Sequence, residues 1–141
     1  MSRTSSRLHT AGGILFILDA IAHSIGQFTS GPSDPVGKGL ERTMRGFVIS
    51  GTSFTYWNVM QCWGVLYGAM TLLFGILLLV AVRAASSDAR VRRATAIVGA
   101  IAATAQALVT IAYRTPPPAF FMVPAAVCFA LAAGLPERKT P

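Results

Sequence analysis

The chain has 141 residues, 53% of them hydrophobic and 12% charged, with a formal net charge of +7. A soluble domain carries about 25% charged residues, so the composition excludes one and points to a single integral membrane domain. The basic residues cluster at the ends of apolar stretches and form no stripe with interleaved aromatics, which argues against nucleic acid as a partner.

Residues 1–9 are short, polar and basic, and the apolar stretch that follows lacks an A-x-A cleavage signature. That stretch reads as a retained first span over residues 10–29, with His9 cytoplasmic or interfacial. Inside it lie Asp19, His23 and Gln27, each four residues from the next. Residues four apart stack on one helix face, so the three make a polar stripe on an oily helix. An ionisable group at that depth costs roughly 3 kcal/mol on insertion scales, and its default reading is functional.

Residues 30–53 read as an outer loop. Pro32 and Pro35 stop the first helix, and 30–43 is rich in Gly and Pro. Residues 44–56 suit a short extended piece with a turn at Gly51, and Thr52 or Ser53 as cap of the next helix. Either a lid over a membrane site or an interfacial anchor fits this segment.

The second span covers residues 54–82. Its first half carries Tyr56, Trp57, Asn58, Gln61, Trp63 and Tyr67, and its second half is plain apolar helix. Gly64 and Gly68 form a GxxxG spacing that Gly75 continues, which raises a homo-oligomer through these glycines as one expectation. Spans three and four follow at 94–113 and 119–135, separated by the stiff turn RTPPP, with Pro124 positioned to end a turn or kink the last helix. Gln106 is the large polar residue in the middle of span three. Cys62 and Cys128 form no CxxC and read as packing residues.

Loop charge gives an orientation. With the N-terminus in the cytoplasm, Arg3, Arg7, Arg83, Arg90, Arg92, Arg93, Arg138 and Lys139 lie inside, and Lys38, Arg42, Arg45 and Arg114 outside. The excess favours both termini cytoplasmic in the cell membrane, with the polar stripe reached from the outer half. The expected fold is therefore all-α: an integral membrane four-helix bundle, multi-pass, in contact with membrane lipids.

Four motifs recur in order: His23-Ser-Ile-Gly26, Met44-Arg45, Trp57-Asn-Val-Met-Gln-Cys-Trp-Gly64 and Pro117-Pro-Ala-Phe-Phe121. This series resembles a family of bacterial four-span membrane proteins that has no assigned activity. The resemblance covers nearly the whole chain and implies the four-span fold. Asn58 stands where that family carries an acidic residue. At the level of fold alone, a small bundle with intramembrane acids and tryptophans is also similar to sterol-isomerase-like membrane enzymes.

Asp19 and His23 form a candidate acid/base pair, with Glu41 as a further acid above the site. Gln27, Arg45, Asn58, Gln61 and Gln106 are candidates for orienting a lipophilic small molecule. Trp57, Trp63 and Tyr67 are candidates for the cavity wall. The expected reaction is isomerisation or cyclisation of a substrate entering from the bilayer, with no cofactor and no metal, since His9 and His23 are too few for a convincing ligand set. The competing reading for each polar residue is structural: hydrogen bonds that lock the bundle, an aromatic belt, or solvated loop charges. Two other functions fit the same residues. One is a non-enzymatic module that binds a lipid, small molecule or partner protein. The other is an oligomeric proton-coupled transporter using Asp19.

Overall fold

The computed structural model describes residues 3–29, 31–84 and 88–135. The polar tail 136–141, residue 30 and the 85–87 part of the basic connection lie outside them, and so do Arg138 and Lys139 of the charge count. Among the described residues five helices run in order: α1 (Arg3–Thr29), α2 (Pro35–Gly46), α3 (Tyr56–Ala84), α4 (Ala89–Ala112) and α5 (Pro116–Gly134). All but α2 are long and apolar enough to cross a membrane. The described residues contain no strand and a single β-bridge, Val48 to Thr55. The chain is an all-helical, multi-pass type of protein. α1, α4 and α5 are longer than the expected spans, most of all α1, whose 27 residues reach about 40 Å, whereas α3 keeps the expected 29 residues.

α1 is the central element. It packs along α3 and α5, α5 packs along α4, and α3 barely meets α4. The core comprises Phe16 of α1, Leu78 of α3, Ala103 and Ala107 of α4, and Met122, Ala125 and Phe129 of α5. Small residues on α4 leave room for the large ones of α1 and α5. Phe129 shows the fit most clearly. A Cβ on Gly12 or Gly99 would come within 2.6 or 2.9 Å of its ring, so α1 and α4 close on it from two sides. In lipid the surroundings are as apolar as the core, so shape-matched dispersion contacts hold such a bundle together. The outward faces are correspondingly apolar, as with Met70, Leu73, Leu77 and Val80 on α3.

The α1–α3 crossing is close because glycines face each other. A Cβ on Gly75 would lie 3.0 Å from the Gly13 carbonyl oxygen. Gly64 and Gly68 point the same way, toward Gln27 and Ser24 of α1. Within the chain the GxxxG stripe thus faces α1.

α2 corrects the expectation of a loop. Asp34 caps it by accepting from the Gly37 amide at 2.8 Å, and Pro35 fills the first turn. Its fixed φ suits a helix start, and its missing N–H is not needed there. A turn closed by the Val48–Thr55 bridge then joins α2 to α3. The Ile49 amide donates to Phe54 O at 2.9 Å, the Tyr56 amide donates to Phe47 O at 3.0 Å, and Gly51 takes φ +78° between them. The cap of α3 is Thr55 rather than Thr52 or Ser53. The Asn58 amide donates to Thr55 Oγ1, and Asn58 Oδ1 accepts from the Thr55 amide at 3.0 Å.

The α4–α5 turn is built from two complementary features. The Thr115 amide reaches Thr110 O at 2.8 Å and the Arg114 amide reaches Ile111 O at 3.1 Å, with Arg114 in the left-handed region at φ +54°. This is the Schellman closure of a helix C-terminus. Pro116, Pro117 and Pro118 then form the first turn of α5 rather than a separate turn. They have no N–H, so the start of this helix presents almost no unsatisfied donors. α5 continues unbroken through Pro124.

At the opposite end, α1 begins earlier than expected, and His9 is buried within the bundle rather than cytoplasmic or interfacial. It is 1% exposed and edge-on to Phe129, with ring centroids 5.1 Å apart. Nearby on α1, Ser5 Oγ donates to the Ala132 carbonyl. Arg92, counted in the sequence among the loop charges, is buried within α4. Both cysteines are free. Cys62 is exposed on α3 and not a packing residue, and Cys128 is half-buried.

Candidate functional site

The polar stripe of α1 meets α3 in an antiparallel ladder. Asp19 Oδ2 accepts from the Tyr67 hydroxyl at 3.1 Å. His23 Nε2 lies 2.9 Å from the Gly64 carbonyl oxygen. Gln27 Nε2 donates to Gln61 Oε1 at 2.8 Å. Each step of four along α1 is matched by a step of three along α3 in the reverse direction, which is how antiparallel helix faces align. The ladder needs Gly64 in its middle. The histidine reaches main chain there, and a Cβ would collide with the Gln27 carboxamide.

This geometry defines the histidine. A carbonyl oxygen only accepts, so Nε2 carries the hydrogen. In the neutral ring Nδ1 then holds the lone pair, and Nδ1 has no hydrogen-bond partner among the described residues. The ring is set by Tyr67 as well, with centroids 4.6 Å apart at 61°. Asp19 and His23 share a helix face, yet neither a hydrogen bond nor an ion pair joins them. Tyr67 stands between their roles, bonded to one and packed on the other.

A cavity of about 850 Å³ opens beside the ladder, at the end where α1 finishes and α3 begins. That is within the range of small-molecule sites. Asp19, His23, Gln27, Gln61, Tyr67 and Trp57 all line it. The opposite wall comes from the α4–α5 turn, through Thr110, Arg114, Thr115 and Phe121, and Met44 of α2 contributes from above. Asp19 is 1% exposed, so what access it has is through this space.

Five expected site residues do not line the cavity. Glu41 is paired with Arg45 one turn away at 2.7 Å, which places that carboxylate on α2 rather than over the site. The Arg45 guanidinium also lies over the Trp57 ring, 4.2 Å from its centroid, so it braces α2 on α3. Asn58 uses its side chain at the start of α3. Its Oδ1 also accepts from Thr55 Oγ1 at 2.6 Å. Trp63 is 68% exposed on the outward face, because it lies one position of about 40° further round α3 from the α1 contact than Tyr67 does. Gln106 reaches Thr71 at 3.4 Å in the sparse α3–α4 seam, with its Oε1 buried and unbonded.

The wall from Thr110 to Phe121 is the part that sequence reasoning missed. Its signal was the adjacency of Arg114 to three prolines, a charge fixed beside a rigid turn. The described residues contain no group of three or more His, Cys, Asp or Glu able to hold a metal ion. No protein-family model, no curated protein and no solved structure matches this chain.

Proposed function

We propose that the chain is a small enzyme of the cell membrane, with both termini cytoplasmic, that moves protons on a lipophilic substrate. The observation that carries this reading is the meeting of Asp19, His23 and Tyr67 on the wall of one otherwise largely apolar cavity. Catalytic acid/base work needs a group that accepts a proton and one that returns it, both within reach of the same substrate. His23 has its Nδ1 available as acceptor, and Asp19, oriented by Tyr67, is the second titratable group. For a double-bond isomerisation the balance is complete. One group takes a proton from one carbon, the π pair shifts, and the other delivers a proton to the far carbon. No further reactant enters. Intramolecular cyclisation of a polyene has the same proton balance.

Gln27 and Gln61 are bonded to each other and act here as positioning residues that fix the register of the ladder. Trp57, Tyr67 and Phe121 form the aromatic part of the wall, suited to an electron-poor intermediate. The basic residues, more numerous at the end away from the cavity, support entry of substrate from the outer half of the bilayer.

The test is a comparative lipid and metabolite profile of cells carrying the wild-type chain, Asp19→Asn or His23→Ala, at equal folded protein. Accumulation of one lipophilic precursor and loss of its product in both variants supports the reading. Profiles identical to wild type with both variants folded sink it. They leave the second reading, a binding module without turnover, which the bonding of Asp19, His23 and Gln27 to partners on α3 favours.

A further inference from the structure

We infer that Arg114 anchors the anionic head of the ligand, so that the cavity takes an amphiphile bearing a carboxylate or phosphate monoester. The inference deepens the enzyme reading by naming a substrate class, and it rests on that reading only for what happens after binding.

Four observations converge. First, apart from His23, Arg114 is the one cationic side chain among the residues that line the cavity. It stands on the wall opposite the Asp19–His23 ladder. Second, its guanidinium has no ion-pair or hydrogen-bond partner among the described residues, whereas Arg45 is held by Glu41 and Trp57. Third, its backbone is in the left-handed region at φ +54°, at the position of a Schellman closure where Gly or Asn is the ordinary residue. Backbone preference therefore does not explain an arginine here, and a strained residue at a cavity wall points to a role for the side chain. Fourth, the prolines that follow remove the N–H groups with which the start of α5 would otherwise hold an anion. The guanidinium is left as the strong donor on that side, and its planar fork matches a carboxylate or phosphate. The rest of the wall, with Phe121, Met60, Met44 and Trp57, suits an apolar body.

The experiment uses the two tryptophans of the chain. Trp63→Phe leaves Trp57, which lines the cavity, as the sole emitter. Purified protein in neutral detergent at alkaline pH is titrated with a brominated stearate, and separately with the corresponding brominated alcohol. The expected result is saturable quenching by the acid at a midpoint about tenfold below that of the alcohol, the scale of one charge-assisted hydrogen bond. Arg114→Gly and Arg114→Asn, both suited to the left-handed backbone, erase the difference. Arg114→Lys keeps part of it. Equal midpoints for acid and alcohol in the wild-type chain, or a difference that survives Arg114→Gly, overturn the inference.

Two further arms separate the alternatives. Replacing half of a phosphatidylcholine nanodisc with phosphatidic acid, whose headgroup is a phosphate monoester, displaces the brominated acid if the natural ligand is a bilayer headgroup. No displacement identifies a single-chain acid, and both results keep Arg114 as the anchor. Asp19→Asn is expected to retain the acid-over-alcohol preference. If it does so while leaving cellular lipids unchanged, the catalytic reading fails and the anion site stands. If lipids depend on Asp19 but the preference is absent, the anion site fails alone.

Discussion

The Tyr67 hydroxyl donates to Asp19 across the α1–α3 seam at 3.1 Å, and both residues face the same cavity. Tyr67→Phe removes this donor and leaves the ring against His23. Hydrogen bonds between membrane helices contribute about 0.6 to 1.7 kcal/mol, so a loss of that size is expected in thermal unfolding in detergent. Asp19→Asn keeps an acceptor oxygen and is expected to unfold close to wild type while losing proton transfer. A Tyr67→Phe protein as stable as wild type shows that the contact contributes no folding energy.

The glycines along α3 are predicted to differ in their tolerance of alanine. At Gly64 the added Cβ meets the end of the Gln27 side chain, which can swing aside. At Gly75 it meets the Gly13 carbonyl and the Phe16 Cβ, both at 3.0 Å, and neither can move without shifting a helix. Gly75→Ala is therefore expected to cost about 1 to 3 kcal/mol, the range of overpacking, and Gly64→Ala less. Unfolding midpoints of the two single variants decide the order. The reverse order excludes Gly13–Gly75 as the tight point of the crossing.

The four apolar spans and the α1 stripe were legible from the sequence, because hydropathy over some 20 residues and a spacing of four are strong local signals. What could not be read is pairing across helices. Asp19 and His23 are four apart, which suggested a direct pair, yet each finds its partner on α3. Trp63 and Tyr67 are also four apart, but only the rotation of α3 against α1 decides which one faces the cavity. α2 was hidden by Gly37, Gly39 and Gly46, which lower helix propensity. The signals that mark it are the Asp34-Pro35 start and Val36, Leu40 and Met44 at steps of four. Arg114 was counted only as an outer charge because its neighbour in space, the cavity wall, is built from distant sequence.

Arg114→Gly is expected to stabilise the fold even as it weakens anion binding. A non-glycine residue in the left-handed region costs about 1 to 2 kcal/mol, and glycine occupies it freely. The side chain makes no hydrogen bond among the described residues that would offset this gain. A higher unfolding midpoint for Arg114→Gly, with Arg114→Ala unchanged, is the expected pattern. A fall in midpoint for Arg114→Gly means that the arginine stabilises the turn in its own right.

The cap of α2 gives a pH dependence that can be read directly. The Gly37 amide donates to the Asp34 carboxylate, which holds its pKa below the usual carboxylate range. A carboxylate with a lowered folded pKa adds stability that is present above the unfolded pKa. That stability is lost as pH falls through the folded one. The Gly37 amide resonance should therefore titrate with a midpoint below that of a free aspartate, and α2 should loosen below it. Asp34→Asn retains an accepting oxygen and is expected to keep the helix, whereas Asp34→Ala frays it. A Gly37 resonance that titrates at the ordinary carboxylate value excludes this cap.

The two tryptophans offer a test of membrane embedding that is independent of any ligand. Trp63 is 68% exposed on the outward face of α3, whereas Trp57 is half-buried beneath Arg45 at the cavity. Trp63 also lies nearly two turns further along the helix, among apolar neighbours such as Leu66 and Met70 that are likewise exposed. Exposure of such a surface to water would leave a continuous apolar patch of the kind soluble proteins rarely show, so lipid is its expected solvent. In bilayers of brominated phospholipid, the Trp57→Phe protein, which retains Trp63, should be strongly quenched. The Trp63→Phe protein, which retains Trp57, should be quenched less, because its ring is shielded by the guanidinium on one side. An aqueous quencher such as iodide should leave Trp63 bright. If iodide quenches Trp63 and brominated lipid does not, the outward face of α3 meets water, and the membrane assignment of the whole bundle falls with it.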